Sequence, residues 1–158
     1  MKPLVLEPDA SMGNLLRCAE AQQQKSCDED LGGCGSPNPV NHFLEGTPPR
    51  VFTLQVAWES HSEGPDVIAS TLAALDEEVD LGEVYQGVQP GLFRYRLRSM
   101  VCYYGQHYQA MVLVPDAGGW LMFDDSRVSG VGGWADVRHK CKAGRIQPSV
   151  LFYEAVQG

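Results

Sequence analysis

Hydrophobic and polar positions alternate over several stretches of the chain, and this period of two is typical of β-strands with one buried face. Residues 51–58 form one such stretch, and its predicted inner face carries Phe52, Leu54, Val56 and Trp58. Residues 93–103 alternate most sharply, and their expected inner face carries Phe93, Tyr95, Leu97 and Val101. Residues 107–114 and 120–124 are two further strand-like runs, and the Pro-Asp-Ala-Gly-Gly between them predicts an antiparallel hairpin. A last apolar strand is predicted over residues 149–156.

Helical spacing of apolar positions indicates three helices. The first is predicted over residues 12–24, which are rich in good helix formers. The second begins at Pro65, and its apolar stripe is formed by Ile68, Leu72, Leu75 and Val79. A third, short helix follows Gly133 and ends near Gly144. Mainly antiparallel strands with a few helices predict an α+β fold.

Size and charge restrict the kinds of partner that the chain can have. Its 158 residues with 44% hydrophobic content suit one ordinary domain or most of one. A formal charge of −8 disfavours nucleic acid and anionic membrane surfaces, which would repel the chain. The sequence contains neither a membrane-spanning apolar run nor a signal-peptide pattern, and its five cysteines are an odd number. We therefore expect an intracellular protein, cytoplasmic or nuclear, without a disulfide framework.

Candidate chemistry is concentrated in one segment, since the usual phosphate-binding, dinucleotide-binding, zincin and serine hydrolase signatures are absent. The segment is Cys102-Tyr-Tyr-Gly-Gln-His107-Tyr, followed after the predicted hairpin by Trp120-Leu-Met-Phe-Asp124-Asp125. An imidazole can take a proton from a nucleophile while a carboxylate on its other nitrogen fixes its tautomer and orientation. A histidine and an aspartate on paired strands could supply this geometry.

These motifs resemble the histidine box of the ubiquitin-specific proteases, in which Gly-x-His-Tyr precedes Trp-x-x-Phe-Asp-Asp and a Ser-x-Val such as Ser126-Arg-Val128. The likeness extends to Pro48-Pro-Arg-Val-Phe-Thr-Leu and to Tyr95-Arg-Leu-Arg-Ser-Met-Val. It is greatest for a plant-type branch, the ubiquitin carboxyl-terminal hydrolase-related proteins, through the Cys-Tyr-Tyr-Gly-Gln-His-Tyr run and Gln147-Pro-Ser-Val-Leu-Phe. The resemblance covers most of the chain from about residue 12 onward.

The resemblance implies a papain-like cysteine protease fold and hydrolysis of the bond after the ubiquitin C-terminus. His107 then matches the general base and Asp124 the residue that orients it, while Asp125 matches a neighbouring acid that supports the site in some members. The narrow channel expected to admit Gly-Gly would be bordered by Gly105, Gln106 and Tyr108, with Gln106 where most members have a second glycine. The implied partners are ubiquitin and ubiquitinated proteins, and catalysis of this type requires no cofactor.

The nucleophile of the family is not recognisable in this chain. Family members carry it near the start of the catalytic domain in an Asn-containing Cys box, and none of the five cysteines has that context. Cys102 lies on a predicted strand and Cys141 on the core side of a predicted helix. We therefore expect the C-terminal half of a catalytic domain, with residues 1–45 as a remnant of the fingers and 46–158 as the palm, inactive alone. The alternative is a catalytically inactive ubiquitin-binding or scaffold module.

Residues 27–41 are dense in Gly, Pro, Asn and Asp and predict a loop or a metal-clamped turn. Cys27 and Cys34 resemble one knuckle of the zinc ribbon in the family's fingers, which makes them candidate ligands of a structural zinc. Their C-x6-C spacing is wider than usual, and Cys18 or His42 would have to complete the site. Reduced thiols without metal are an equal alternative, and a stand-alone zinc-ribbon module is the least favoured interpretation.

Two geometric expectations follow from the implied triad. His107 and Asp124 must lie on adjacent strands with side chains on the same face, as they would if Leu113 faced Gly118. Pairing Val114 with Trp120 would instead put them on opposite faces unless a bulge intervened. If the lobe that carries the nucleophile is absent, apolar surface near the His107 strand, around Tyr108 and Trp120, must face water.

Overall fold

The computed structural model describes residues 11–156. Within this range the helices are α1 (Met12–Ala21), α2 (Pro65–Ala73), α3 (Leu81–Val84) and α4 (Trp134–Gly144). The first five strands are β1 (Gln24–Ser26), β2 (Pro37–Pro39), β3 (Val51–Gln55), β4 (Glu78–Asp80) and β5 (Arg94–Tyr104). The remaining strands are β6 (His107–Val114), β7 (Gly119–Asp124), β8 (Arg127–Gly132) and β9 (Gln147–Ala155). None of the helices in this range is long and apolar enough to cross a membrane.

One compact unit comprises residues 11–48 and 80–94. Its first helix, α1, begins after Ser11, whose side chain accepts a hydrogen bond from the Asn14 amide at 3.2 Å. The Ser11 hydroxyl donates to Glu83 on α3 at 2.9 Å, which joins the two helices. Strands β1 and β2 form a two-stranded antiparallel sheet in which Lys25 lies opposite Asn38. Part of the predicted loop over residues 27–41 is therefore a strand, because β2 pairs with β1, which lies just before Cys27.

The second unit comprises residues 49–79 and 95–156 and is built on a seven-stranded sheet. The strand order is β3-β9-β5-β6-β7-β8, with antiparallel pairing along this order and β4 paired to β5. Helices α2 and α4 contact each other and bury their apolar sides. The fully buried side chains of this unit include Ile68, Leu72, Met100, Met111, Trp120, Val137, Leu151 and Tyr153. The predicted combination of antiparallel sheet and helices is confirmed.

The predicted second helix is too long. Leu72 is near its end, because α2 stops at Ala73 and Val79 lies in β4. Leu75 and Val79 are nevertheless buried, at 8% and 4% exposure. The segment after Ala73 becomes extended because it reaches the edge of β5, where the Leu97 amide donates to the Glu77 carbonyl at 2.7 Å. The apolar spacing of three and four residues therefore continued to Leu75 and Val79 by coincidence, although neither residue is in the helix.

The expected inner face of β5 is wrong at Val101. Tyr95 and Leu97 are buried as predicted, but the register against β9 shifts between Leu97 and Ser99. This β-bulge inserts one residue and reverses the alternation, so Met100 and Cys102 become buried while Val101 is half-buried on the opposite face.

Candidate active site

His107 is the first residue of β6 and directly follows a two-residue turn from β5. Tyr104 pairs with His107 across this turn, and Gly105 and Gln106 both have positive φ, of 55° and 69°. Two consecutive left-handed residues form the tight hairpin that suits twisted strands. Gly105 adopts this conformation freely, whereas Gln106 does so at a steric cost. The turn therefore holds the backbone of His107 at a defined place on the sheet.

Asp124 ends β7 and reaches His107 across the sheet. The carboxylate oxygen Oδ1 lies 2.6 Å from the imidazole Nε2, and both side chains are 39% exposed. Leu113 pairs with Trp120 and Ala110 with Phe123, so Asp124 lies opposite Gln109, two residues along from His107. Side chains two apart share a face, and the expectation of a common face is confirmed.

Neither of the two registers considered from the sequence is the observed one. Val114 pairs with Gly119 rather than with Trp120, and Leu113 pairs with Trp120 rather than with Gly118. A 3-10 turn over Pro115–Ala117 followed by Gly118 in the left-handed conformation closes the hairpin. The observed register differs by two residues from the one that put His107 opposite Asp124, which preserves the face but makes the contact diagonal.

Asp125 lies in the turn between β7 and β8, close to the same imidazole. Its Oδ2 is 4.0 Å from His107 Nε2, and its side chain is 82% exposed. The turn is closed by the pairing of Asp124 with Arg127, and Asp125 has a φ of 49°. Aspartate tolerates the left-handed region better than most residues, which suits it to this position.

The contact between His107 and Asp124 has a definite chemical consequence. With the carboxylate on Nε2, the neutral ring carries its proton on Nε2 and leaves the lone pair of Nδ1 for a proton from another group. The same carboxylate stabilises the imidazolium that forms after that transfer. The arrangement is therefore a base with an orienting acid.

The three channel residues predicted from the sequence do not share one face. Gly105 and Gln106 are in the turn before His107, whereas Tyr108 alternates to the other face of the sheet and is 62% exposed. Its ring packs edge-on against Tyr103 with centroids 5.3 Å apart, and Tyr103 packs similarly against His61 at 5.7 Å. These rings and Trp58 border a groove of about 390 Å³.

Sequence reasoning missed Gln147, which organises one wall of this groove. Gln147 is 2% exposed; its side-chain amide donates to the Ser60 carbonyl at 2.9 Å and accepts from the Glu63 amide at 3.2 Å. The Trp58 indole donates to the Pro148 carbonyl at 2.7 Å. A polar residue opening an apolar strand was the available signal, and it indicates a buried tether for the loop over residues 58–64.

Comparison with known proteins bears on this arrangement. The family model described as ubiquitin carboxyl-terminal hydrolase matches residues 10–153. The chain belongs to this family, the ubiquitin-specific proteases.

Two curated members of the family illustrate the relationship. The chain is 30% identical over 161 residues to ubiquitin carboxyl-terminal hydrolase 54 of Mus musculus, covering 96% of this chain and 10% of that protein. It is 31% identical over 158 residues to ubiquitin carboxyl-terminal hydrolase 53 of Homo sapiens, covering 89% of this chain and 14% of that protein. The chain therefore spans only about a tenth to a seventh of these relatives. The likeness to a plant-type branch remains a prediction.

Solved structures show the same fold. The SAGA Ubp8/Sgf11/Sus1/Sgf73 DUB module superposes with a TM-score of 0.53 and 17% identity, covering 96% of this chain and 31% of that one. The expected papain-like α+β fold of the ubiquitin-specific proteases is thereby confirmed.

The two cysteines in the same unit as the site are buried in its core. Cys102 on β5 and Cys141 on α4 both have 0% exposure. A hydrogen bond with the Cys141 thiol, together with burial, raises the pKa of the Cys102 thiol well above its usual range. A buried neutral thiol is a poor nucleophile, which agrees with the sequence-based rejection of both residues.

Cys27 and Cys34 lie in the connection between β1 and β2. The Cys27 amide donates to the Ser36 carbonyl at 2.9 Å, and hydrogen bonds from Ser36 and from the Cys27 thiol lower the pKa of the Cys34 thiol. The two sulfurs are thus neighbours, but His42 pairs instead with Glu20. Within residues 11–156 no third metal-binding side chain joins them, so these residues do not complete a closed four-ligand zinc site.

Apolar exposure at this end of the second unit differs in part from expectation. Tyr104, Tyr108, Phe123 and Val128 are exposed, as expected for the surroundings of the His107 strand. Trp120 is instead 1% exposed, because its ring packs against Trp134 at 5.6 Å between centroids. The tryptophan belongs to the core shared by β7 and α4.

Proposed function

We propose that this chain supplies the general base and its orienting acid to a cysteine deubiquitinase, within a larger catalytic domain whose nucleophile is none of the five cysteines present here. The observation that carries the proposal is the 2.6 Å contact between His107 Nε2 and Asp124 Oδ1 on adjacent strands. A rigid sheet preserves such a contact without ordering a loop, which favours catalysis. Membership in the ubiquitin-specific proteases supports the assignment of the reaction.

The reaction would proceed through Nδ1 of His107. Nδ1 takes the proton of a cysteine thiol, and the thiolate attacks the carbonyl carbon of the last glycine of ubiquitin. The imidazolium, held by Asp124, then protonates the leaving amine as the carbon–nitrogen bond breaks and a thioester remains. Water, losing a proton to the neutral imidazole, releases ubiquitin and restores the thiol. Asp125 is positioned to support the charged ring, and no cofactor enters these steps.

A cavity next to Asp124, though not lined by His107 itself, lies on the same face of the sheet as the pair. This cavity of about 690 Å³ is bordered by Asp124 and by Gln109, opposite it on β6, and extends to His139 on α4. A segment bearing the nucleophile could enter from this side. The ubiquitin tail would run past the turn of Gly105 and Gln106 to reach His107, whereas Tyr108 lies on the other face of the sheet.

The remaining sequence-based assignments belong to this proposal. Ubiquitin and ubiquitinated proteins are the partners, and the acidic chain suits a neutral or basic protein surface better than nucleic acid. The free cysteines fit the reducing environment of the cytoplasm or nucleus. We divide the chain into a remnant of the fingers, residues 1–45, and the palm, residues 46–158.

Hydrolysis of a fluorogenic ubiquitin C-terminal substrate by the longest gene product that contains this chain tests the proposal. His107→Gln should lower kcat/KM at least about 10³-fold, since the thiol loses its base. Asp124→Ala should lower it at least about 10²-fold. Asp116→Asn, at the opposite end of the β6–β7 hairpin, is the matched control and should leave the rate unchanged. Undiminished hydrolysis by His107→Gln would refute the assignment.

A non-catalytic ubiquitin-binding module is the second candidate, and the burial of Cys102 and Cys141 favours it. A ubiquitin-based electrophilic probe distinguishes the two, because it labels only a competent thiolate. Labelling of the longer product, lost in His107→Gln, supports the enzyme. Ubiquitin binding without labelling supports the module.

A further inference from the structure

We propose that His107, Asp124 and Asp125 form a binding site for a divalent transition metal ion, with Zn²⁺ as the best fit. Within residues 11–156 they are the one group of three such side chains whose ligand atoms converge, all lying within 4.8 Å of one another. A metal bound at Nε2 leaves the neutral ring with its proton on Nδ1, which removes the lone pair that the proposed base uses and so competes with the catalytic form of the ring. The metal site does not depend on the proposed deubiquitinase activity. Inhibition of hydrolysis by the metal does rest on that proposed function.

The ligand atoms, which all lie within 4.8 Å of one another, must move by at most about 1.5 Å to surround an ion. Zinc bonds to imidazole nitrogen and carboxylate oxygen are about 2.0–2.2 Å long, which places tetrahedral ligands roughly 3.3 Å apart. The distance from His107 Nε2 to Asp124 Oδ1 is 2.6 Å and must increase by about 0.7 Å. The distance from His107 Nε2 to Asp125 Oδ2 is 4.0 Å and must decrease by about as much. Small rotations about the side-chain bonds of His107 and Asp125 can achieve both.

The backbone holds the three residues in place before any ion arrives. His107 follows one tight turn, and Asp124 and Asp125 begin the next, where Asp124 pairs with Arg127. The left-handed conformation of Asp125 turns its carboxylate back toward the imidazole, to within 4.0 Å of Nε2. Little backbone conformational entropy is therefore lost when the ion binds.

The donor set and its exposure indicate an open site. One imidazole and two carboxylates are ligands that zinc accepts, and water can occupy the fourth position because Asp125 is 82% exposed. Two negative charges offset the charge of the ion. An open site of three protein ligands and one water exchanges its metal more readily than a closed structural site.

Zinc titration of the chain by isothermal calorimetry tests the site. A Cys27→Ser, Cys34→Ser background removes the neighbouring thiols of the other unit as competing ligands. We expect one ion per chain in this background, and at least tenfold weaker binding after His107→Gln or Asp125→Asn. Asp116→Asn, an exposed carboxylate outside the site, is the control and should bind as the background does.

A spectroscopic measurement separates ligation from loss of folding. Co²⁺ in place of Zn²⁺ should give visible absorption typical of a four-coordinate site in the background chain, and that absorption should vanish in His107→Gln, whose thermal unfolding must match the background. Binding unaffected by both site substitutions, or no binding below about millimolar zinc, overturns the proposal. Metal binding by a longer gene product that shows no hydrolysis would overturn the deubiquitinase function and leave the metal site standing.

Discussion

Replacing Gln147 by methionine should loosen the loop over residues 58–64 while leaving the sheet intact. Methionine nearly matches the shape of glutamine but can neither donate to the Ser60 carbonyl nor accept from the Glu63 amide. These two hydrogen bonds, at 2.9 Å and 3.2 Å, are the only ones that this side chain makes among the described residues. The substitution therefore isolates the polar tether from the packing of the side chain.

The size of the effect follows from the exposure of the partners. A net hydrogen bond contributes about 0.5–1.5 kcal/mol, and a group left dry and unpaired costs about 1–3 kcal/mol. Ser60 is exposed, so water can replace part of what is lost. We expect the free energy of unfolding to fall by about 1–3 kcal/mol, and the Glu63 amide to exchange with solvent about tenfold faster for each 1.4 kcal/mol of local opening.

Urea unfolding and amide hydrogen exchange measure the two effects. Gln55→Met, on the exposed side of β3, is the matched control and should stay within about 0.5 kcal/mol of the wild type. If Gln147→Met also stays within that margin and the Glu63 amide keeps its protection, then Gln147 does not tether the loop.

Three further predictions concern other positions. Because the pKa of Cys102 is raised in the folded chain, its thiol ionises first in the unfolded chain as pH rises. The free energy of unfolding should therefore fall above about pH 8.5, and it should fall by less in Cys102→Val. Urea unfolding at pH 7 and pH 10 checks this, and equal losses in the two proteins would contradict it. Trp120→Ala should cost about 3–5 kcal/mol by denaturant unfolding, because the ring is 1% exposed, whereas Leu121→Ala on the other face should cost far less. Gln106→Gly should stabilise the chain by about 0.5–1 kcal/mol, since its φ of 69° suits glycine, and a lower melting temperature would refute this.

The sequence by itself determined the type of most elements and the residues of the candidate site. Strand-like runs on either side of a turn containing proline and glycine predicted the two strands that carry His107 and Asp124. The sequence motif also predicted that His107, Asp124 and Asp125 belong to one site. Local sequence patterns suffice to predict these strands, since residues that are neighbours in the chain determine whether a segment is a strand.

Other features depended on contacts between distant segments. The strand β8 was missed because its Gly-containing run Ser129-Gly-Val-Gly has little strand preference, and pairing with β7 alone makes it extended. The bulge in β5 moved Val101 to the half-buried face because the register against β9 shifts, and no sequence pattern within β5 predicts that shift.

The geometry of the site was likewise a tertiary matter. Pairing Leu113 with Trp120 decided that Asp124 meets His107 diagonally, and the adjoining turn decided that Asp125 comes within 4.0 Å of the same nitrogen. Gln147 became a tether only because the loop at Ser60 folds back over it. Sequence determined which groups are present, while strand register and turn geometry determined their distances, because those depend on hydrogen bonds between segments far apart in the chain.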